Sequence, residues 1–265
     1  FTDDALNRKK QLERYIDVTK SQLFFSRGVL FVEGISEELL VPVFAQILNQ
    51  RLEDYKIELL NADGTSFYPF IYLFNSTDKS KTLPLPLSIL TDDDKFPKSK
   101  NTEYSFINIK DNLPKVEELF ENIKAAAKST RIKNISELIK SVPEKISLNY
   151  SYKTVEFTLI KANISKAKTQ ITDNLIWKYL GQNKSTVKKF NKIKENLDSF
   201  AGADITEAEL SKLQILIWKA LPSKAEFAQD FSVYLLANLE KSKTNFIVPD
   251  YIQKAITHLI NYKSK

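Results

Sequence analysis

One stretch constrains this chain more than any other. Gly28 to Glu38 reads GVLFVEGISEE. Five residues without a polar side chain, Gly28 to Val32, suit a strand buried on both faces. A carboxylate follows (Glu33), then a glycine where the chain can turn (Gly34), then a helix start at Ser36, Glu37 and Glu38. Ser36 is a candidate cap, and the two glutamates suit the positive end of a helix. Pro86 to Asp94, PLSILTDDD, repeats the idea: an apolar run that ends in acids. Between them Ile57 to Ala62 gives another short apolar run. Strand, helix, strand, helix, strand with continuous apolar strands predicts a parallel sheet covered by helices on both faces.

Around this core the spacing predicts mostly helices. Asn7 to Leu23 carries Leu12, Tyr15, Ile16 and Leu23 at helical intervals. The helix after Gly34 runs to about Gln50, with Pro42 early enough to be tolerated. Ser66 to Phe74 and Val116 to Ala127 read as helices, and Ile146 to Tyr150 as a fourth strand. Thr154 opens a further helix with Glu156 in its first turn. Ile171 to Leu180, Ala208 to Ala220, Lys224 to Leu239 and Tyr251 to Tyr262 all show helical spacing, with breaks expected at Gly181 and Gly202. The fold class expected is α/β: a parallel sheet flanked by helices, with a helical insertion and a helical C-terminal region.

Composition excludes several chemistries. There is no Cys and a single His, His258, so disulfides, zinc–thiolate sites, His-cluster metal sites and Ser–His catalysis fall away. No apolar run approaches membrane-spanning length, and the start is not a signal peptide, so a soluble, cytoplasmic protein with no membrane partner is expected. Phe1 and the absence of Met lead us to expect a piece of a longer chain. The net charge is +6, from 39 Lys and Arg against 33 Asp and Glu. Between Lys161 and Phe200 nine lysines stand against three acids, an excess equal to that of the whole chain. That bias favours a polyanionic partner, although ordinary solubility also accounts for a mildly basic chain. Trp177, Tyr179 and Phe190 lie among these lysines at helical spacing, which suits core positions. No GxxxxGK[ST] loop occurs, so ATP is not expected to bind this chain itself.

In an open parallel sheet, ligands bind beyond the carboxyl ends of the strands. Glu33, Asp92 and Asp94 sit at such ends. In an extended segment positions i and i+2 point the same way, so Asp92 and Asp94 would converge and Asp93 would point elsewhere. Glu33 and Glu37 approach each other if the helix begins near Ser36. Four carboxylates brought together repel, and some take up protons unless a cation intervenes. Oxygen-only ligands suit Mg²⁺ or Mn²⁺. Each motif alone also has a plainer reading: helix-start acids for Glu33 and Glu37, and a solvated turn for the aspartates.

Together these residues resemble a known family. VEG followed by SEE, then TDDD after an apolar strand, resembles the Toprim domain of primases, topoisomerases, recombination proteins and OLD-family (overcoming lysogenization defect) nucleases. LERYIDVTKSQLFFSRGVLFVEGISEELLVPVFA, NADGTSFYPFIYLF, KTVEFTLI and SKAEFAQ look like successive segments of the OLD-family region. The resemblance runs from about Leu12 to the C-terminus. It is strongest from Gln22 to Asp94 and weakest from Lys161 to Gly202.

The resemblance implies a two-metal DNA endonuclease. On this sequence Glu33 and Glu37 match the family's paired glutamates, and Asp92 and Asp94 its Asp-x-Asp. Thr154 and Glu156 match a Ser/Thr-x-Glu element that helps hold the second of two Mg²⁺ or Mn²⁺ ions. Lys224 matches a lysine placed near the scissile phosphate. The catalytic groups implied are Glu33, Glu37 and Lys224. Asp93 departs from the family pattern, where a less acidic residue is common. The organisation implied is a helical connector (1–23), a Toprim catalytic core (24–160) and a helical region completing the nuclease domain (161–265). It also implies an ABC-type ATPase region in the same protein, DNA as partner, and for some members anti-phage defence with a helicase-like partner. Two other readings stand beside it: a non-catalytic Toprim DNA-binding scaffold, and a topoisomerase or primase. Those last two need a separate tyrosine-bearing domain or a Cys-rich zinc module.

Overall fold

A computed structural model describes residues 10, 21–62, 67–94 and 121–263. The expected connector helix at Asn7 to Leu23, the loop after Phe96 and the start of the helix expected at Val116 lie largely outside the described residues. Two compact units divide the chain: Phe1–Thr91, Thr130–Tyr150 and Asp250–Lys265 form one, and Asp92–Ser129 with Ser151–Pro249 the other.

The first unit holds a four-stranded parallel sheet: β1 (Gly28–Val32), β2 (Ile57–Asn61), β3 (Leu87–Asp92) and β4 (Ile146–Ser151), in the order β2-β1-β3-β4. β1 pairs in parallel with β2, Gly28 opposite Ile57, and with β3, Val29 opposite Leu87. Every residue of β1 and β3 is buried. The unbroken apolar run of β1, and the run of β3 interrupted only by Ser88 before Thr91, follow from cover on both faces. On one face Val29 and Phe31 pack with Phe67, Phe70, Ile71 and Phe74. The Phe31 ring lies 5.0 Å from that of Phe70. Helix α1 (Ile35–Ile47) and the short α2 (Tyr68–Ile71) follow β1 and β2, and α3 (Thr130–Ile139) adds Ile135 and Ile139 to the same core. The other face meets α11 (Asp250–Asn261). Ser88 of β3 donates its hydroxyl hydrogen to the carbonyl of Ala255 at 2.8 Å, and a Cβ on Gly28 would sit 3.4 Å from Leu259.

Two details of α1 differ from expectation. Gly34, not Ser36, is the residue before the helix, and no side chain caps it; Ser36 is buried inside the first turn. Pro42 lies past the first turn. It removes the backbone hydrogen bond to the Glu38 carbonyl, yet the helix continues to Ile47 because Pro42 faces solvent, where water can satisfy that oxygen.

The second unit is helical: α4 (Val155–Asn163), α5 (Lys168–Asp173), α6 (Leu175–Gln182), α7 (Val187–Ser199), α8 (Glu207–Ala220), α9 (Lys224–Ala237) and α10 (Leu239–Asn245). Trp177, Tyr179 and Phe190 are core residues, as their spacing suggested. Trp177 meets Phe190 edge-on at 4.8 Å, and Tyr179 packs against Phe227, Phe231 and Tyr234. The helix expected at Ile171 to Leu180 is split at Asn174. The Asn174 side chain accepts the Ile176 N–H at 2.8 Å and donates to the carbonyl of Asn163 at 2.8 Å, so the chain re-enters helix in a new direction. Gly202 takes φ +76, a true left-handed break. Gly181 does not break a helix: it lies within α6, where a Cβ would stand 3.0 Å from the Phe190 ring. Close approach, not turning, is what that position requires.

Candidate functional site

Glu33 leaves β1 where the chain turns into α1. Its Oε2 accepts the hydroxyl hydrogen of Thr91 at 2.6 Å, and the Arg131 guanidinium of α3 lies 3.2 Å from the same oxygen. Thr91 belongs to β3 and immediately precedes Asp92, so Glu33 is tied to the carboxyl end of the neighbouring strand. Glu37 is buried in the first turn of α1. Gly34 between them is extended (φ −159), a conformation open to any residue; the nearest atom a Cβ there would meet is Glu37 Oε2, at 3.9 Å. The Glu37 carboxylate thus hangs back over the turn that follows Glu33. Glu38 faces elsewhere and accepts from the Asn61 side chain of β2 at 2.7 Å.

In the second unit Asp92 is buried. Ser151 donates its hydroxyl hydrogen to Asp92 Oδ1 at 2.8 Å, and Lys224 Nζ stands 3.7 Å from Oδ2. Lys224 is the first residue of α9, where Ser223 caps the helix by accepting the Glu226 N–H. Thr154 caps α4 by accepting the Phe157 N–H at 3.3 Å, and Glu156 is buried in that helix's first turn. Asp94 is half-buried, and its N–H reaches the carbonyl of Lys153 at 3.1 Å.

The geometry of the aspartates departs from the extended-chain expectation. β3 ends at Asp92, and Asp94 takes φ +46, so an i to i+2 argument no longer governs where Asp94 points. Asp93 is no solvated bystander. It is buried, and its Oδ1 accepts the Ser129 N–H at 2.9 Å.

Four residues had no role in the sequence reading. Thr91 and Ser151 orient Glu33 and Asp92. Arg131 sits on Glu33, and no local pattern around it in α3 announces that. Lys153, just before the Thr154 cap, is buried beside the aspartates. Burial pushes its ammonium down to about 8; Asp94 and Asp92 pull the other way, and the nearby Lys224 charge adds to the depression. Among the described residues, no group of three or more His, Asp or Glu side chains is gathered closely enough to hold a metal ion by itself. The chemistry of the donor set, all carboxylate and hydroxyl oxygen, nevertheless suits a hard divalent cation.

Residues 24–94 match the family model for the Toprim domain of overcoming lysogenization defect protein-like proteins. This segment is an OLD-like Toprim domain. It contains β1, α1, β2, α2 and β3, with Glu33, Glu37, Asp92 and Asp94 inside its limits. A curated relative, endonuclease GajA of Bacillus cereus (strain HuB5-5), is 33% identical over 85 residues. That match spans 32% of this chain and 12% of the relative's length. Among solved structures, the C-terminal region of the Xanthomonas campestris pv. campestris OLD protein aligns over 91% of this chain and 95% of that one (23% identity, TM-score 0.45). The C-terminal region of the Burkholderia pseudomallei OLD protein aligns over 89% and 98% (22% identity, TM-score 0.46).

Proposed function

We propose that this chain is the nuclease part of an OLD-like protein: a DNA endonuclease that hydrolyses phosphodiester bonds with Mg²⁺ or Mn²⁺. One observation carries the reading. Inside an OLD-like Toprim domain, the Thr91 hydroxyl ties Glu33 to the strand end that continues directly into Asp92. The endonuclease named among its relatives supports the same chemistry.

Glu33, Glu37, Asp92 and Asp94, with Glu156 and Thr154, would hold the ions. When bound, divalent ions would supply positive charge to the phosphate oxygens and lower the pKa of a water. The chain's own residues do the rest. Thr91 and Ser151 hold Glu33 and Asp92 in fixed orientations. Lys224, at a helix start where backbone N–H groups also point outward, offers positive charge to the phosphate as its own charge builds. Glu33 or Glu37 takes the proton of the attacking water. DNA is the substrate in this reading, and an ABC-type ATPase region belongs to the same protein. No observation extends the proposal to a helicase-like partner.

A second reading has one observation in its favour: Arg131 and Lys224 already stand beside Glu33 and Asp92, as protein cations would in a non-catalytic Toprim scaffold. Supercoiled plasmid incubated with Mg²⁺, Mn²⁺ or chelator separates the two. Metal-dependent nicking or linearisation, reduced on the order of a hundredfold or more by Asp92→Ala with Asp94→Ala, is the expected result. DNA binding with no cleavage under any metal would leave the scaffold; cleavage that persists in the double variant would remove Asp92 and Asp94 from the site.

A further inference from the structure

The lysine-rich segment separates into two populations. Lys166 pairs with Glu207 at 2.7 Å, and Lys178 with Asp173 at 3.1 Å. Lys168 donates to the carbonyl of Phe200 at 2.6 Å, and Lys161 lies over the Tyr152 ring, 4.0 Å from its centroid. Those four have structural partners. Lys184, Lys188, Lys189, Lys192 and Lys194 are exposed and form no ion pair or side-chain hydrogen bond among the described residues. Within this segment, the positive charge available to a partner is therefore concentrated on α7 and the turn before it.

The way α7 carries that charge is not what helix stability asks for. Phe190, Ile193 and Leu197 face the core. Lys188, Lys189 and Lys192 share the N-terminal half of the helix on its outer side, while Glu195 and Asp198 fall in the C-terminal half, where Lys194 alone adds positive charge. The helix dipole favours the reverse order, acids first and lysines last. Lysines crowded at the positive end repel one another and the dipole, and no carboxylate among the described residues is seated against them. What the arrangement does produce is a compact positive field at one end of a rigid helix. Lys188 and Lys192 are one turn apart, about 6 Å along the axis, a spacing suited to neighbouring phosphates of a duplex strand.

We propose that Lys184, Lys188, Lys189 and Lys192 form the face of this chain that grips the phosphate backbone of duplex DNA, without reading its sequence. The inference rests on the nuclease reading for its choice of polyanion, and gives that reading a docking surface made of residues outside the candidate site. Such contacts position the nucleic acid and release counterions, so they register in the salt dependence of binding.

The test is fluorescence anisotropy on a random-sequence duplex with chelator present, across a salt series. The chain is compared with Lys188→Gln/Lys189→Gln/Lys192→Gln and with a control, Lys166→Gln/Lys178→Gln. The triple variant is expected to lose about 2–3 from the slope of log K against log salt, and on the order of tenfold or more in affinity at moderate salt. The control is expected to keep the slope. Circular dichroism of the triple variant checks that α7 persists, since all three changes are on its exposed side. An unchanged slope in the triple variant overturns the proposal and leaves the nuclease reading standing if plasmid is still cleaved. Equal losses in the control and the triple variant overturn it as well, because bulk charge would then explain them. If the unaltered chain binds no duplex, this inference falls, and plasmid cleavage with metal decides the nuclease reading separately. A triple variant that loses affinity only for vesicles of anionic phospholipid assigns the face to a membrane surface and overturns it.

Discussion

At the scale of single residues, the neighbours of the acids carry as much information as the acids. Glu33 takes a hydroxyl from the next strand and a guanidinium from α3 on one oxygen. A carboxylate held this way cannot swing freely, which is what a ligand or base needs, because small misplacements there are costly. Thr91→Val keeps the shape of the buried side chain and removes only the donor. It is expected to cost about 2 kcal/mol of stability, read as a shift in the urea midpoint at unchanged slope, and to lower plasmid cleavage. A variant as stable and as active as the original would deny Thr91 its orienting role. Asp93 shows the converse. The third acid of TDDD looks redundant in sequence, but its side chain is spent on the Ser129 backbone.

At the scale of elements, the helical unit turns on a few side chains that stop and restart the chain. Asn174 ends α5, caps α6 and reaches the Asn163 carbonyl. Asn163 in turn bonds both the N–H and the carbonyl of Ile247. Asn174→Ala removes a cap and orphans a buried acceptor, so about 2–3 kcal/mol of destabilisation is expected. Chemical denaturation measures it, and a change within error would mean that water replaces both bonds. Helical periodicity could not have located this break, because Ile171, Leu175 and Tyr179 keep a four-residue spacing straight across it.

At the scale of the whole molecule, pH reports on burial in the sheet unit. His258 of α11 approaches the carbonyl of Lys145 at 3.3 Å. Burial depresses its pKa below the ordinary value, more than the carbonyl restores. The unfolded chain therefore binds the proton more readily than the folded one. The stability linked to this group is fully present above about pH 6.5 and is lost as pH falls through the lower, folded pKa. His258→Gln is expected to flatten that acid limb of a thermal-stability profile; an identical limb in the variant would show that other groups produce it. Among the described residues no helix is long and apolar enough to cross a membrane.

How much of this was legible in the chain depends on range. The strands were legible because a parallel strand covered on both faces must be largely apolar, and Gly28–Val32 and Leu87–Leu90, polar only at Ser88, can be little else. The candidate acids were legible because they stand immediately after those runs. Neighbours from distant segments were not. Arg131 and Ser151 reach Glu33 and Asp92 through the packing of α3 and the end of β4, and local sequence carries no record of such meetings. Lys153 looked like one lysine among many until burial distinguished it. The partition of the basic segment into paired and available lysines also needed the fold, since an ion pair such as Lys166 with Glu207 spans 41 positions of chain. By itself the sequence determined the strand–acid–helix order and the type of chemistry its oxygens suit. Which charges are neutralised, which hydroxyls aim those oxygens and which lysines remain for a partner were decided by tertiary structure, because each depends on distances between residues far apart in the chain.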